Sequence, residues 1–125
     1  MTTYERAIRI TADNWISIAE LRVVDGFMLQ DLQKAVGGWI EIVPGMYLPE
    51  PLRIICNDEG VLKRLPLNRA ASLLYGSGIV GDVLLMAQGW RDGEPDIVGL
   101  TEGQAQETVN ELLEQFPFLQ LEGAV

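Results

Sequence analysis

The 125-residue chain contains no histidine and one cysteine, Cys56. Without an imidazole there is no Ser-His-Asp or Cys-His arrangement. Zinc loses its commonest nitrogen ligand, and neutral-pH catalysis its commonest general base. A lone cysteine excludes an intrachain disulfide, and within Leu52-Arg53-Ile54-Ile55-Cys56 it reads as a small buried hydrophobe rather than a nucleophile. No apolar run approaches the roughly 18 to 20 residues that cross a bilayer. Met1 to Arg9 shows no basic stretch followed by an apolar core, so neither a membrane span nor a secretory signal is expected. Basic residues are nearly missing from the end of the chain. Residues 76–125 hold Arg91 alone against nine acids, whereas residues 1–75 hold eight Lys and Arg against nine acids. The net charge of −9 therefore lies mostly in the last two-fifths. Such a surface repels duplex nucleic acid, so direct nucleic-acid binding is not expected.

What is present suffices for one core. With 48% apolar and 22% charged residues, the composition is that of a globular protein. The length predicts a single domain over residues 1–125 that buries about two-thirds of its unfolded surface.

Tyr4 to Ile10 and Trp15 to Leu21 are rich in Ile, Trp and Tyr around the polar Thr11-Ala12-Asp13-Asn14, which predicts a hairpin. A first helix is expected after Asp25, read as its N-cap. Met28, Leu29, Leu32, Ala35 and Val36 supply the helical spacing, and Gly37-Gly38 stops it. Trp39 to Val43 and Leu52 to Cys56 read as strands separated by Pro44-Gly45 and the proline-containing loop 46–51. Asn57-Asp58-Glu59-Gly60 predicts a turn into a short partner strand at Val61-Leu62. Asn68 is placed to cap a short helix over Arg69 to Tyr75, and Ile79 to Ala87 reads as a central strand covered on both faces. Gln88 to Gly99, dense in Gly, Pro and acids, reads as an exposed loop. Thr101 with Gln104 forms a capping box for a helix whose apolar stripe is Ala105, Val109, Leu112, Leu113 and Phe116, ended by Pro117. The fold class expected is α+β: a mainly antiparallel sheet with two or three helices packed on it, the last one amphipathic.

Gly76-Ser77-Gly78-Ile79-Val80-Gly81 spells the dinucleotide fingerprint, but that motif leaves a strand and opens a helix. Here a helix precedes and a strand follows, so the glycines are assigned to a turn. Asp92-Gly93-Glu94-Pro95-Asp96 resembles the start of a calcium loop. Ile97 and Gly103 stand where the glycine and the closing glutamate belong, and no metal is expected there.

Two features carry binding chemistry. Arg53, Lys63, Arg64 and Arg69 are close in sequence, and Asn68 would place a helix N-terminus beside them. Converging, they would hold a phosphate or carboxylate; dispersed, they merely balance surface acids. On the last helix Glu107, Glu111 and Glu114 lie opposite the apolar stripe with no basic neighbour. They form either a solvated face or a negative surface that imitates phosphate. Trp39 and Trp90 are read as packing residues, with base stacking as the other use of such rings.

The runs Leu29 to Glu41, Asn57 to Gly60, Leu65 to Ala71 and Ile79 to Val83 resemble the domain of unknown function 3846 family, small proteins of bacteriophages and plasmids. The resemblance covers about residues 19–87, leaving the acidic loop and final helix, 88–125, as additions. It implies a setting in the host bacterial cytoplasm and carries no catalytic signature; from the residues themselves no cofactor or metal is expected. If its polar motif positions bind a ligand, Arg53, Asn57, Lys63, Asn68, Arg69 and Asp82 are the candidates. The leading expectation is therefore a non-enzymatic phage accessory protein that counters host defence by sequestering a small anionic, nucleotide-type ligand. The alternative is an acidic inhibitor whose Glu107, Glu111 and Glu114 occupy a nucleic-acid site on a basic host protein. A sheet edge also leaves homo-oligomerisation open.

Overall fold

The amino-terminal hairpin is longer than its apolar runs. In the computed structural model, which describes residues 2–123, β1 (Thr2–Ile10) and β2 (Trp15–Val24) pair antiparallel along their length. Met1, Ala124 and Val125, counted in the expected 1–125 domain, lie outside the described residues. The buried positions of β2 change parity along the strand, from Ile16 to Leu21 and Val23, because different helices cover opposite faces at its two ends. Strand residues of opposite parity point to opposite faces, so one strand serves two cores.

α1 (Leu29–Val36) does not begin at Asp25. Its N-cap is Met28, without a side-chain cap. Asp25 and Gly26 instead adopt positive φ (52° and 83°) in a tight reversal that pairs Val24 with Phe27. Asp-Gly is a preferred pair for a two-residue turn with positive φ at both positions, and that use displaces capping. Gly37, also at positive φ, ends α1 with its N–H donating to Gln33 O.

β3 (Ile40–Pro44) and β4 (Leu52–Asn57) pair antiparallel, and β4 pairs in turn with β5 (Val83–Arg91). Both flanks of β4 are thus occupied, and Val61-Leu62 forms no strand. Residues 58–64 coil in turns instead, closed by Lys63 N–H to Glu59 O and Leu65 N–H to Gly60 O. α2 (Arg69–Tyr75) is capped as expected: Asn68 Oδ1 accepts from Ala71 N–H at 3.1 Å.

β5 is central, but it starts later and runs further than its apolar run. Gly81 at positive φ and a bridge from Val80 to Leu67 hold the preceding residues off the ladder. Its first half pairs with β1 and its second half with β6 (Glu94–Val98). Gln88 to Gly99 is therefore a hairpin, not a loop. Asp92 and Gly93, at φ 53° and 80°, supply its two-residue turn, and such an Asp-Gly pair reverses a chain whatever the polarity of its flanks. α3 (Glu102–Gln115) carries the complete capping box between Thr101 and Gln104. Beyond it, β7 (Gln120–Leu121), which no sequence signal announced, adds in parallel to β2.

The sheet order is β3-β4-β5-β1-β2-β7 with β6 alongside β5, and every pairing except β2 with β7 is antiparallel. The α+β expectation holds. One face carries α2 and α3 over Ile8, Ile10, Ile54, Val83 and Leu85; the other carries α1 over Ala7, Ile55, Leu84 and Met86. β5 is buried on both faces, as its continuous apolar run requires. Among the described residues no helix is long and apolar enough to cross a membrane.

Candidate functional site

The four basic residues do not converge. Arg53 shares the α1 face with its cross-strand partner Met86, and its guanidinium donates to Glu50 at 2.8 Å and to Leu52 O at 2.9 Å. Arg69 opens α2 on the opposite face and stacks on Phe118, with Cζ 4.1 Å from the ring centroid, a cation–π contact. Lys63 reaches back to Gly37 O at 3.4 Å. Arg64 is exposed at positive φ in the turn segment. The sheet separates the members of a cluster that proximity in sequence suggested.

The remaining motif residues are brought together in pairs, and their hydrogen bonds are made within the protein. Asn68 is fully buried; its amide donates to Ile10 O at 3.0 Å and Gly81 O at 2.9 Å while its carbonyl caps α2. Asn57 donates to Val36 O at 3.0 Å and accepts from Glu59 N–H, tying β4 to the end of α1. Lys63 and Asn57 both crowd Gly38, where a Cβ would lie 2.6 Å from Lys63 Nζ and 3.0 Å from Asn57 Nδ2. The exposed Lys63 ammonium can swing away, so the tighter constraint on Gly38 is the buried, hydrogen-bonded amide of Asn57. Asp82 accepts from Arg9 at 3.0 Å and from Ala12 N–H at 3.0 Å, fixing the β1–β2 turn against the start of β5. The Gly76 to Gly81 run turns the chain from α2 towards β5: Gly76 is the C-cap of α2, and the hydroxyl of Ser72 closes the bend against Ile79.

α3 behaves differently. Glu102, Glu107, Glu111 and Glu114 are exposed, while Ala105, Val109 and Leu112 are buried. Among the described residues none of these four acids forms a salt bridge. Arg91, the one base of the last 50 residues, is committed elsewhere. It bridges Glu5 at 2.8 Å and Asp96 at 2.9 Å, and these contacts hold its guanidinium charged. A groove of about 240 Å³ runs between α3 and residues 49–52, lined by Glu50, Glu107 and Glu111 with Gln104 and Thr108. Sequence reading missed Glu50, which reaches the helix only through the loop between β3 and β4.

At the β3 edge lies a second concavity, about 220 Å³, whose walls include Val43, Cys56, Tyr75 and Ile79. The Cys56 thiol is buried, and burial foremost, then the charges of Glu41 and Asp58, push it up to about 11. It is a wall group and not a nucleophile at neutral pH. Trp39 and Trp90, expected to pack, are 64% and 72% exposed. The alternation of Glu41 with Val43 marks them for one face of a strand, but only the strand order shows that this strand is an edge bordering a cavity.

No curated protein matches the sequence. A solved structure of the small RNA methyltransferase HEN1 is similar in fold, with a TM-score of 0.61 at 16% identity over 84% of this chain. This chain spans 16% of that one's length, and the likeness is one of fold alone. A family description, Domain of unknown function (DUF3846), matches residues 5–116, reaching from β1 to the end of α3 and so well beyond the 19–87 core carried by the motifs. The chain belongs to the DUF3846 family.

Proposed function

We propose that this protein acts by binding, and that the outer face of α3 with the adjoining Glu50 groove is its docking surface for a basic protein of the host cell. In the phage or plasmid setting that the family resemblance implies, such a surface would occupy a nucleic-acid site on a bacterial enzyme. The observation that carries this reading is the unneutralised row Glu107, Glu111 and Glu114, exposed on a helix whose opposite side is packed into the core. Like charges at this spacing destabilise a helix by a few tenths of a kcal/mol, a cost that docking against cations removes. Among the described residues, Glu50 is the one groove acid that is paired, to Arg53. Sequestration of an anionic ligand receives no comparable support, because Arg53, Lys63 and Arg69 are divided between two faces and engaged there.

Affinity capture from bacterial lysate at low salt tests the proposal, followed by DNA-binding assays on whatever is retained. The expected result is a basic, nucleic-acid-binding protein that is inhibited by this chain and released as salt screens the contact. A triple variant Glu107→Gln, Glu111→Gln, Glu114→Gln should lose it. Retention of the same proteins by the triple variant overturns the reading.

A further inference from the structure

The cavity at the β3 edge has a chemical character of its own. Its walls come from β3, β4, the turn after Asn57, the end of α2 and the segment leading to β5. Its lining is mixed: Val43, Ile79, Val80 and Tyr75 supply an apolar wall, Asn57 and the glycines supply polar groups, and its ionised groups are the exposed carboxylates Glu41 and Asp58. No lysine or arginine lines it. Among the described residues neither carboxylate has a salt bridge or accepts a side-chain hydrogen bond. Glu41 is the cross-strand partner of Cys56, Asp58 lies two residues beyond it, and all three line the cavity. Gly60 sets the width of the cavity: a Cβ there would lie 2.7 Å from Val80 Cγ2.

We propose that this cavity binds an alkylammonium group, its hydrocarbon against Val43, Ile79 and Tyr75 and its charged nitrogen between Glu41 and Asp58. The volume of about 220 Å³ suits a short chain and is too small for a nucleotide. A bare metal ion fits poorly, because the described residues contain no group of three or more His, Cys, Asp or Glu side chains placed to hold one. An organic cation uses both the carboxylates and the apolar wall, and the ring of Tyr75 adds a cation–π surface. A free amine and the side chain of a lysine offer this same group. The site is separate from the α3 face, and either can fail without the other.

The test follows backbone amide shifts of Gly60, Gly78 and Val80 by NMR during titration with n-butylammonium, with the uncharged n-butanol, and with a capped Gly-Lys-Gly peptide. Saturable shifts with butylammonium but not butanol are expected. Tighter binding of the peptide would identify the source as a lysine side chain, and weaker binding a free amine. The isosteric double variant Glu41→Gln, Asp58→Asn should weaken binding about tenfold or more through loss of both charges. Tyr75→Leu, which keeps an apolar wall, should weaken it about two- to fivefold. Unresponsive amides, equal response to butanol, or undiminished binding by a double variant with an unchanged spectrum would overturn the proposal.

Discussion

The segment from Asn57 to Asp82 and the outer face of α3 are both rich in polar side chains, yet they use them in opposite ways. In the first, Asn57, Asn68 and Asp82 satisfy buried or half-buried backbone groups of neighbouring elements. In the second, four carboxylates face solvent with no salt bridge among the described residues. A polar residue at a turn is ambiguous from sequence because folding and binding ask for the same chemistry. What distinguishes them is whether the hydrogen-bonding capacity is already spent inside the protein, which makes α3 and the β3-edge cavity, rather than the motif asparagines, the places with free capacity.

The sharpest way to break this contrast is Asn68→Ala. It would leave Ile10 O, Gly81 O and Ala71 N–H without their buried partner, and should cost roughly 3 kcal/mol or more in urea unfolding. A loss below about 1 kcal/mol would mean that the residue is not a structural hub. Cys56 supplies a kinetic counterpart. With its thiol pushed up to about 11, alkylation of the native protein near pH 8 should run about a hundredfold slower than in urea.

Outside the Asn57 to Asp82 segment the effects are smaller. Thr101→Ala removes the hydroxyl that accepts from Gln104 N–H and should cost about 1 kcal/mol, measured by the same unfolding assay. The Arg22 side chain, then the Arg22 backbone N–H, holds the Asp31 carboxyl below the usual carboxylate range. Its contribution is therefore present above the unfolded carboxylate range and is lost as pH falls through the lowered folded value. The stability gap between the protein and Asp31→Asn should accordingly close below about pH 4. The smallest change is expected for the Gln triple on α3, a gain of a few tenths of a kcal/mol as repulsion is relieved. A clear loss of stability would instead mean that those acids are structurally engaged.

Local signals were legible wherever one short stretch of chain contains its own reason. The Asn68 cap, the Thr101–Gln104 box and the end of α1 at Gly37 each depend on a few consecutive residues. The two Asp-Gly turns are equally local, but Asp25 stands just before a helical apolar spacing, where an Asp also serves as an N-cap, and Asp92 stands among acids and glycines that read as a loop, so neither reversal stands out. The β4 partner failed for another reason. Apolar Val61 and Leu62 have strand composition, but β3 and β5 had already taken both edges of β4, and only the sheet order reveals that.

By itself the sequence determined the fold class, the caps of α2 and α3, the absence of histidine chemistry and the concentration of negative charge in the last two-fifths of the chain, because each follows from composition or from neighbours within a few positions. The tertiary structure alone decided which polar groups remain free. The sheet sends Arg53 and Arg69 to opposite faces, draws Asn68 to the backbones of Ile10 and Gly81, and brings Glu41, Asp58 and Tyr75 around one cavity. Those outcomes depend on strand order and parity, which couple residues tens of positions apart and leave no local trace in the chain.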